Sequence, residues 1–158
     1  MAGKSSGDYG HEMKRELLDS GICTSDELLE CSIEEFSDLQ VTTGVILPRA
    51  YQGFLQSMGR GAGDFFRGTD IFFQSLPITR DVVQKLIYQD EKARGFKLPD
   101  NVFVFASHQG YSFLYFVAEE DDDDPRVFVY TEDEGPPRQV AESFTQWFSQ
   151  SVRDHAEE

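Results

Sequence analysis

Leu47-Pro48-Arg49-Ala50-Tyr51-Gln52-Gly53-Phe54-Leu55-Gln56-Ser57-Met58 is the stretch on which the fold turns. Tyr51, Phe54, Leu55 and Met58 recur at i, i+3, i+4 and i+7, which is one face of an amphipathic helix. Pro48 suits the first helical position, where its missing N–H costs nothing. A second pair, Leu98-Pro99, introduces apolar residues at strand spacing: Phe103, Phe105, Phe113, Tyr115, Val127 and Val129. The layout is helix followed by sheet, and no catalytic signature accompanies it. It points to a surface that binds rather than a pocket that reacts.

Working outward towards the N-terminus, residues 1–10 are small and polar and read as a disordered tail. Met13, Leu17 and Leu18 predict a short helix over His11 to Ser20, stopped by Gly21. Thr24-Ser-Asp-Glu27 and Ser32-Ile-Glu-Glu35 both match the capping box, in which hydroxyl and carboxylate satisfy the open amides of a helix start. Helices are expected from about Ser25 and from Ile33, the second with Ile33, Phe36 and Leu39 facing inward and Gly44 ending it.

Beyond Met58, Gly59, Gly61 and Gly63 read as a flexible loop, with Gly59 as a left-handed cap. Asp64 to Leu76 reads as a turn followed by a strand, Ile71 to Phe73. Two adjacent Phe pairs, Phe65-Phe66 and Phe72-Phe73, cannot all face inward from one strand, so some are expected in an apolar patch. Thr79 caps a predicted helix bearing Val82, Val83, Leu86 and Ile87, ended by Gly95. Asn101 to Ser107, Tyr111 to Ala118 and Arg126 to Thr131 read as strands, the first two joined by a tight turn at His108-Gln-Gly110. Ser143-Phe-Thr-Gln146 opens a last helix with Phe144, Trp147, Phe148 and Val152 on one side. The expectation is one α+β domain over residues 11–154, with N-terminal helices packed on a mostly antiparallel curved sheet and a C-terminal helix.

Charge narrows the partners. With 29 acids against 14 bases the chain carries a net charge of -15, so nucleic acid would be repelled and a basic protein attracted. Residues 119–134 hold nine of those acids and one Arg. Asp121, Asp122, Asp123 and Asp124 cannot all point at one ion, because calcium loops alternate ligands with spacers. The run is either a solvated turn or an electrostatic contact surface. No apolar run reaches the ~18 residues of a membrane span, and no apolar leader opens the chain, so a cytoplasmic protein is expected. Cys23 and Cys31 lack further ligands at metal spacing and read as reduced, buried thiols. No cofactor and no metal is expected.

Three patterns resemble catalytic or nucleotide motifs without their context. Gly3-Lys4-Ser5 lacks the upstream glycine and strand of a phosphate loop. Gly59-Arg-Gly-Ala-Gly63 follows a helix, where a dinucleotide fingerprint follows a strand; Arg60 is nonetheless placed to project as a contact residue. His108 beside Ser107 and Ser112 would need an orienting acid and an oxyanion hole to act as a hydrolase.

The ordered set Leu47-Pro48-x-x-Tyr51-x-x-Phe54-Leu55, a glycine-rich loop, Leu98-Pro99 before a Phe-rich strand, His108-Gln109-Gly110-Tyr111 and Ser143-Phe144 resembles the SUKH superfamily. These are cell-wall-assembly-regulator-like domains found widely as bacterial immunity proteins, and the likeness spans about residues 25 to 152. Members usually carry an Asn-Gly-Gly-like segment where this chain has Met58-Gly59-Arg60-Gly61. The resemblance implies helices on a mostly antiparallel curved sheet and a non-catalytic role. That role is neutralising a cognate toxin, often a nuclease and therefore basic, or else scaffolding a housekeeping protein. On the immunity reading Asp121, Asp122, Asp123, Asp124, Glu132, Asp133 and Glu134 steer the partner, with Tyr130 and Phe66 as aromatic anchors. An edge at Arg126 to Thr131 would allow a homodimer.

Overall fold

The computed structural model describes residues 3–73, 101–109, 111–131 and 136–157, and residues 6–10 of the expected tail are helical. Ser5 Oγ accepts from the Asp8 N–H and Asp8 Oδ2 from the Ser5 N–H, each at 3.1 Å. This reciprocal cap starts α1 (Ser6–Asp19) well before His11. These first turns carry no apolar stripe because their buried residue is Gly10. Met13 and Leu17 follow it into the core, and Gly21, at φ 78°, turns the chain away.

The capping box at Thr24 yields only a single 3₁₀ turn, Ser25–Glu27, before the chain extends into β1 (Leu28–Leu29). The box at Ser32 opens α2 (Ile33–Thr43) as expected, and Gly44 closes it at φ 68°. Ile33 does not join the inward stripe and is 78% exposed. Six residues at ~100° each place it about 120° away from Leu39, too far round to share that helix's buried side. Pro48 holds the N-cap position of α3 (Arg49–Met58), one place before the first helical position expected for it, and Tyr51, Phe54, Leu55 and Met58 are all fully buried.

Gly59 is right-handed at φ -61°, not a left-handed cap. It is glycine for lack of room: a Cβ there would fall 2.6 Å from the Leu55 carbonyl oxygen and collide with Cys31 Sγ. The following glycine loop is partly ordered as β2 (Gly61–Ala62), antiparallel to β1. The next strand is β3 (Thr69–Asp70), ending before the expected Ile71 to Phe73. β4 (Val102–His108), β5 (Ser112–Val117), β6 (Val127–Thr131) and β7 (Arg138–Ala141) then complete an antiparallel five-stranded sheet in the order β3-β4-β5-β6-β7. The chain closes in α4 (Phe144–Ala156). This is an α+β architecture. β6 lies between β5 and β7, so the expected Arg126 to Thr131 edge does not exist; among the described residues the outer strands are β3 and β7. The helix expected from Thr79, the Leu98-Pro99 pair and Glu132, Asp133 and Glu134 lie outside the described residues.

Helices α1, α3 and α4 share one core with one face of the sheet. A register shift between Val104 and Ala106 sends both Phe105 and Ala106 to that face, joining Phe103 and Phe116 against Tyr51, Phe144 and Phe148. The opposite face is buried too, around Val104, Phe113, Tyr115 and Tyr130. Cys23 and Cys31 are buried, unbridged thiols, as expected.

Burial pushes the Cys31 thiol up to about 11, against the pull of Arg60, and the Tyr115 phenol up to about 12. Unfolded, these groups ionise near 9 and 10. Above about pH 9 the unfolded chain thus holds fewer protons than the native one, and stability falls as pH rises. Urea midpoints taken between about pH 8 and pH 11 are expected to decline across that window. Cys31→Ala is expected to flatten the first part of the decline.

Candidate functional site

The acidic run from Asp121 to Asp124 lies across the N-terminal ends of two helices. Pro48 offers no side-chain cap to α3, so the Ala50 N–H would be left open. It donates instead to the Asp123 carbonyl oxygen at 2.9 Å, while Asp123 Oδ1 lies 3.7 Å from Arg49 Nε. Asp124 grips α4 with both carboxylate oxygens: Oδ1 accepts from the Thr145 N–H at 2.9 Å and Oδ2 from the Thr145 hydroxyl at 2.6 Å. Asp122 Oδ1 accepts from the Asp124 N–H at 3.2 Å and shapes the turn. Negative groups are favoured at helix N-termini, where backbone amides point outward. Half of the run is therefore explained by the fold, and Asp121 is the fully exposed member.

A stability contrast within the run follows. Asp124→Ala leaves the Thr145 amide without its charged acceptor and is expected to cost about 1.5–3 kcal/mol. Asp121→Ala is expected to stay within about 0.5 kcal/mol. Equal urea midpoints for the two variants would refute the structural role of Asp124.

The remaining expected contact residues fare differently. Tyr130 is 1% exposed and faces Phe113, with ring centroids 6.3 Å apart, so it is a core residue and not a free anchor. Strand alternation placed it opposite Val129, but alternation does not say that both faces of the sheet are covered. Arg60 forms a two-pronged ion pair with Glu35 of α2, its Nε 3.0 Å from Oε1, and its guanidinium lies over the Phe73 ring at 5.2 Å. It clamps α2 to the β1–β2 ribbon. Phe66 is half-buried, stacked parallel to Trp147 at 5.4 Å and packed at 3.8 Å on Phe65. Its φ of 61° is left-handed, a conformation a bulky side chain holds only when its surroundings fix it.

Phe66 and Trp147 line a cleft of about 650 Å³ together with Arg67, His108, Asp154 and His155. The spacing puts Trp147 on one helix side with Phe144, Phe148 and Val152 and gives no sign of a cleft, because the walls come from a loop, three strands and a distant helix. His108 Nδ1 pairs with the Thr69 hydroxyl at 3.2 Å, and the Ser112 hydroxyl with that of Thr131 at 3.2 Å. Ser107 is buried. Both polar groups are thus engaged across the sheet rather than with each other. Among the described residues no group of three or more His, Cys, Asp or Glu could hold a metal ion, and no helix is long and apolar enough to cross a membrane.

No curated protein matches the chain significantly. The family model SUKH_6, described as SMI1-KNR4 cell-wall, matches residues 33–148, from the first turn of α2 to the middle of α4. The protein is therefore a member of the SUKH superfamily, of the SMI1-KNR4-like kind.

Proposed function

We propose that this chain is a non-catalytic, cytoplasmic protein-binding domain that serves as an immunity protein, occluding a cognate bacterial toxin. Its membership of the SUKH superfamily carries the reading. The net charge of -15 adds the partner's character. A nuclease must draw phosphate into its cleft and so presents basic groups there. An acidic protein is steered towards such a cleft, which mainly raises the association rate. Asp121 and Asp122, with Glu132, Asp133 and Glu134, supply that steering, while Asp123 and Asp124 also hold the two helix ends.

Co-purification from the native host with the whole chain as bait, followed by mass spectrometry, tests the reading. Recovery of a basic secreted toxin, whose activity the bait suppresses, is the expected result. Recovery of a housekeeping enzyme alone would replace it with a regulatory scaffold of the same fold. Turnover of ester or phosphoester substrates that vanishes in His108→Ala would overturn the non-catalytic part.

A further inference from the structure

Apolar side chains that a fold leaves outside are informative when they gather. Among the described residues the exposed large hydrophobics are Leu29, Ile33, Val41, Ile46, Tyr111 and Val140, and four of these six fall between residues 29 and 46. Ile33 is 78% exposed, Val41 83%, Ile46 61% and Leu29 54%. Single exposed aliphatics are ordinary, whereas a group of them marks a contact surface. Val41 lies two residues past the buried Leu39, about 200° round the helix, so it points squarely outward. Glu34 and Asp38, seven and three residues before Val41, share that outer side. Leu29 precedes α2 and Ile46 follows it, so the aliphatics run from one end of the helix to the other.

The charge around them has one sign. Residues 21–47 contain six acids (Asp26, Glu27, Glu30, Glu34, Glu35 and Asp38) and no Lys or Arg. Arg60 reaches in from the residue before β2 and pairs with Glu35. We propose that the outer face of α2, framed by Leu29 and Ile46, is the surface that docks a basic protein partner, burying these aliphatics inside a ring of carboxylates. The inference rests on the binding role above and says where it resides. A second copy of the chain would bring like charge against like charge, and nucleic acid or an anionic lipid surface would be repelled outright. A basic protein with an apolar groove meets both features.

The face is also held rigid before binding, which lowers the entropic cost of association. The Arg60 N–H donates to the Leu29 carbonyl at 2.9 Å and the Cys31 N–H to the Leu55 carbonyl at 3.0 Å. Both ends of α2 are fixed, by the Ser32 box and by Gly44.

The probe is a synthetic amphipathic helix of leucine and lysine, about 20 residues long, above the ~12–15 residues at which an isolated helix is marginal. Amide shift mapping on the whole chain is expected to place its footprint on Leu29, Ile33, Val41 and Ile46. The fluorescence of Trp147, the single tryptophan, should stay unchanged because it sits in the cleft. The double substitution Ile33→Lys with Val41→Lys should weaken binding about tenfold or more, and Ile33→Ser with Val41→Ser, which leaves the charge alone, should weaken it severalfold. Both pairs are exposed positions, so far-UV circular dichroism should match the parent. A footprint centred on Asp121 to Asp124 and missing Ile33 and Val41, a change at Trp147, unaltered affinity in the variants, or no binding at all would overturn the proposal. Failure of co-purification by the parent bait would instead strike the immunity reading.

Discussion

Tyr51→Ala is expected to lower the free energy of unfolding by about 3–5 kcal/mol, the cost of removing a large aromatic ring from a packed core. A domain of this size has a total of ~5–15 kcal/mol to lose, so the variant sits near the edge of folding. The reason lies in what the ring touches. Its centroid is 5.3 Å from those of Phe103 and Phe116 and 5.6 Å from that of Phe144, with Phe54 at 6.0 Å and Phe105 at 6.1 Å. It joins α3 to β4, β5 and α4 at once. No neighbour can move into the void without abandoning one of the others, so cavity relaxation is small. Tyr51→Phe keeps the ring and is expected to retain most of the stability. The urea midpoint with far-UV dichroism reads both variants, and a loss under ~1 kcal/mol for Tyr51→Ala would show that this ring is not the hub of the core.

That hub was legible in the sequence because it is periodic. Tyr51, Phe54, Leu55 and Met58 repeat on one helix face, as do Phe144, Phe148 and Val152, and the three long strands carry enough β-branched and aromatic residues to be read without a structure. What escaped was whatever periodicity cannot encode. β1 and β2 are two residues each, too short to show a period. β7 reads Arg138-Gln139-Val140-Ala141, and its first three residues are exposed, so it presents an edge and no apolar run. Gly59 was recognisable as necessary, but the cause is a close approach of Cys31 and not a turn. At the site, the acidic run was visible while its hold on Thr145 was not, since that contact joins residues 21 positions apart. The outer face of α2 was hidden by a reasonable error. An isoleucine one residue past a helix cap looks like the start of the buried stripe, and only the position of Leu39 fixes which side is inside.

Gly53→Val is expected to cost about 3 kcal/mol or more and to lower the melting temperature by roughly 6–12 °C. Two helices rarely meet backbone to backbone, and α1 and α3 do so here. A Cβ on Gly53 would lie 2.5 Å from the Gly10 nitrogen and from the Ser6 carbonyl oxygen. A Cβ on Gly10 would lie 2.6 Å from the Gly53 carbonyl oxygen. Main-chain atoms cannot rotate aside as a side chain can, so the helices must separate and withdraw Met13 and Leu17 from the core. Gly7→Ala is the control on the same helix. Its Cβ would meet nothing closer than Ser5 Oγ at 3.7 Å, and alanine there should stabilise the helix by about 0.5–1 kcal/mol. Opposite signs for Gly7→Ala and Gly53→Val would establish that crowding, not helix propensity, governs this contact; equal signs would refute it. The same geometry bears on how much chain the binding surface needs. The family match begins at Ile33, yet α3, which carries the Tyr51 hub and accepts the Cys31 N–H at Leu55, is seated on a helix lying wholly before that point. A chain starting at residue 21 is therefore expected to expose the Gly53 side of α3, to lose cooperative unfolding, and with it the fixed outer face of α2.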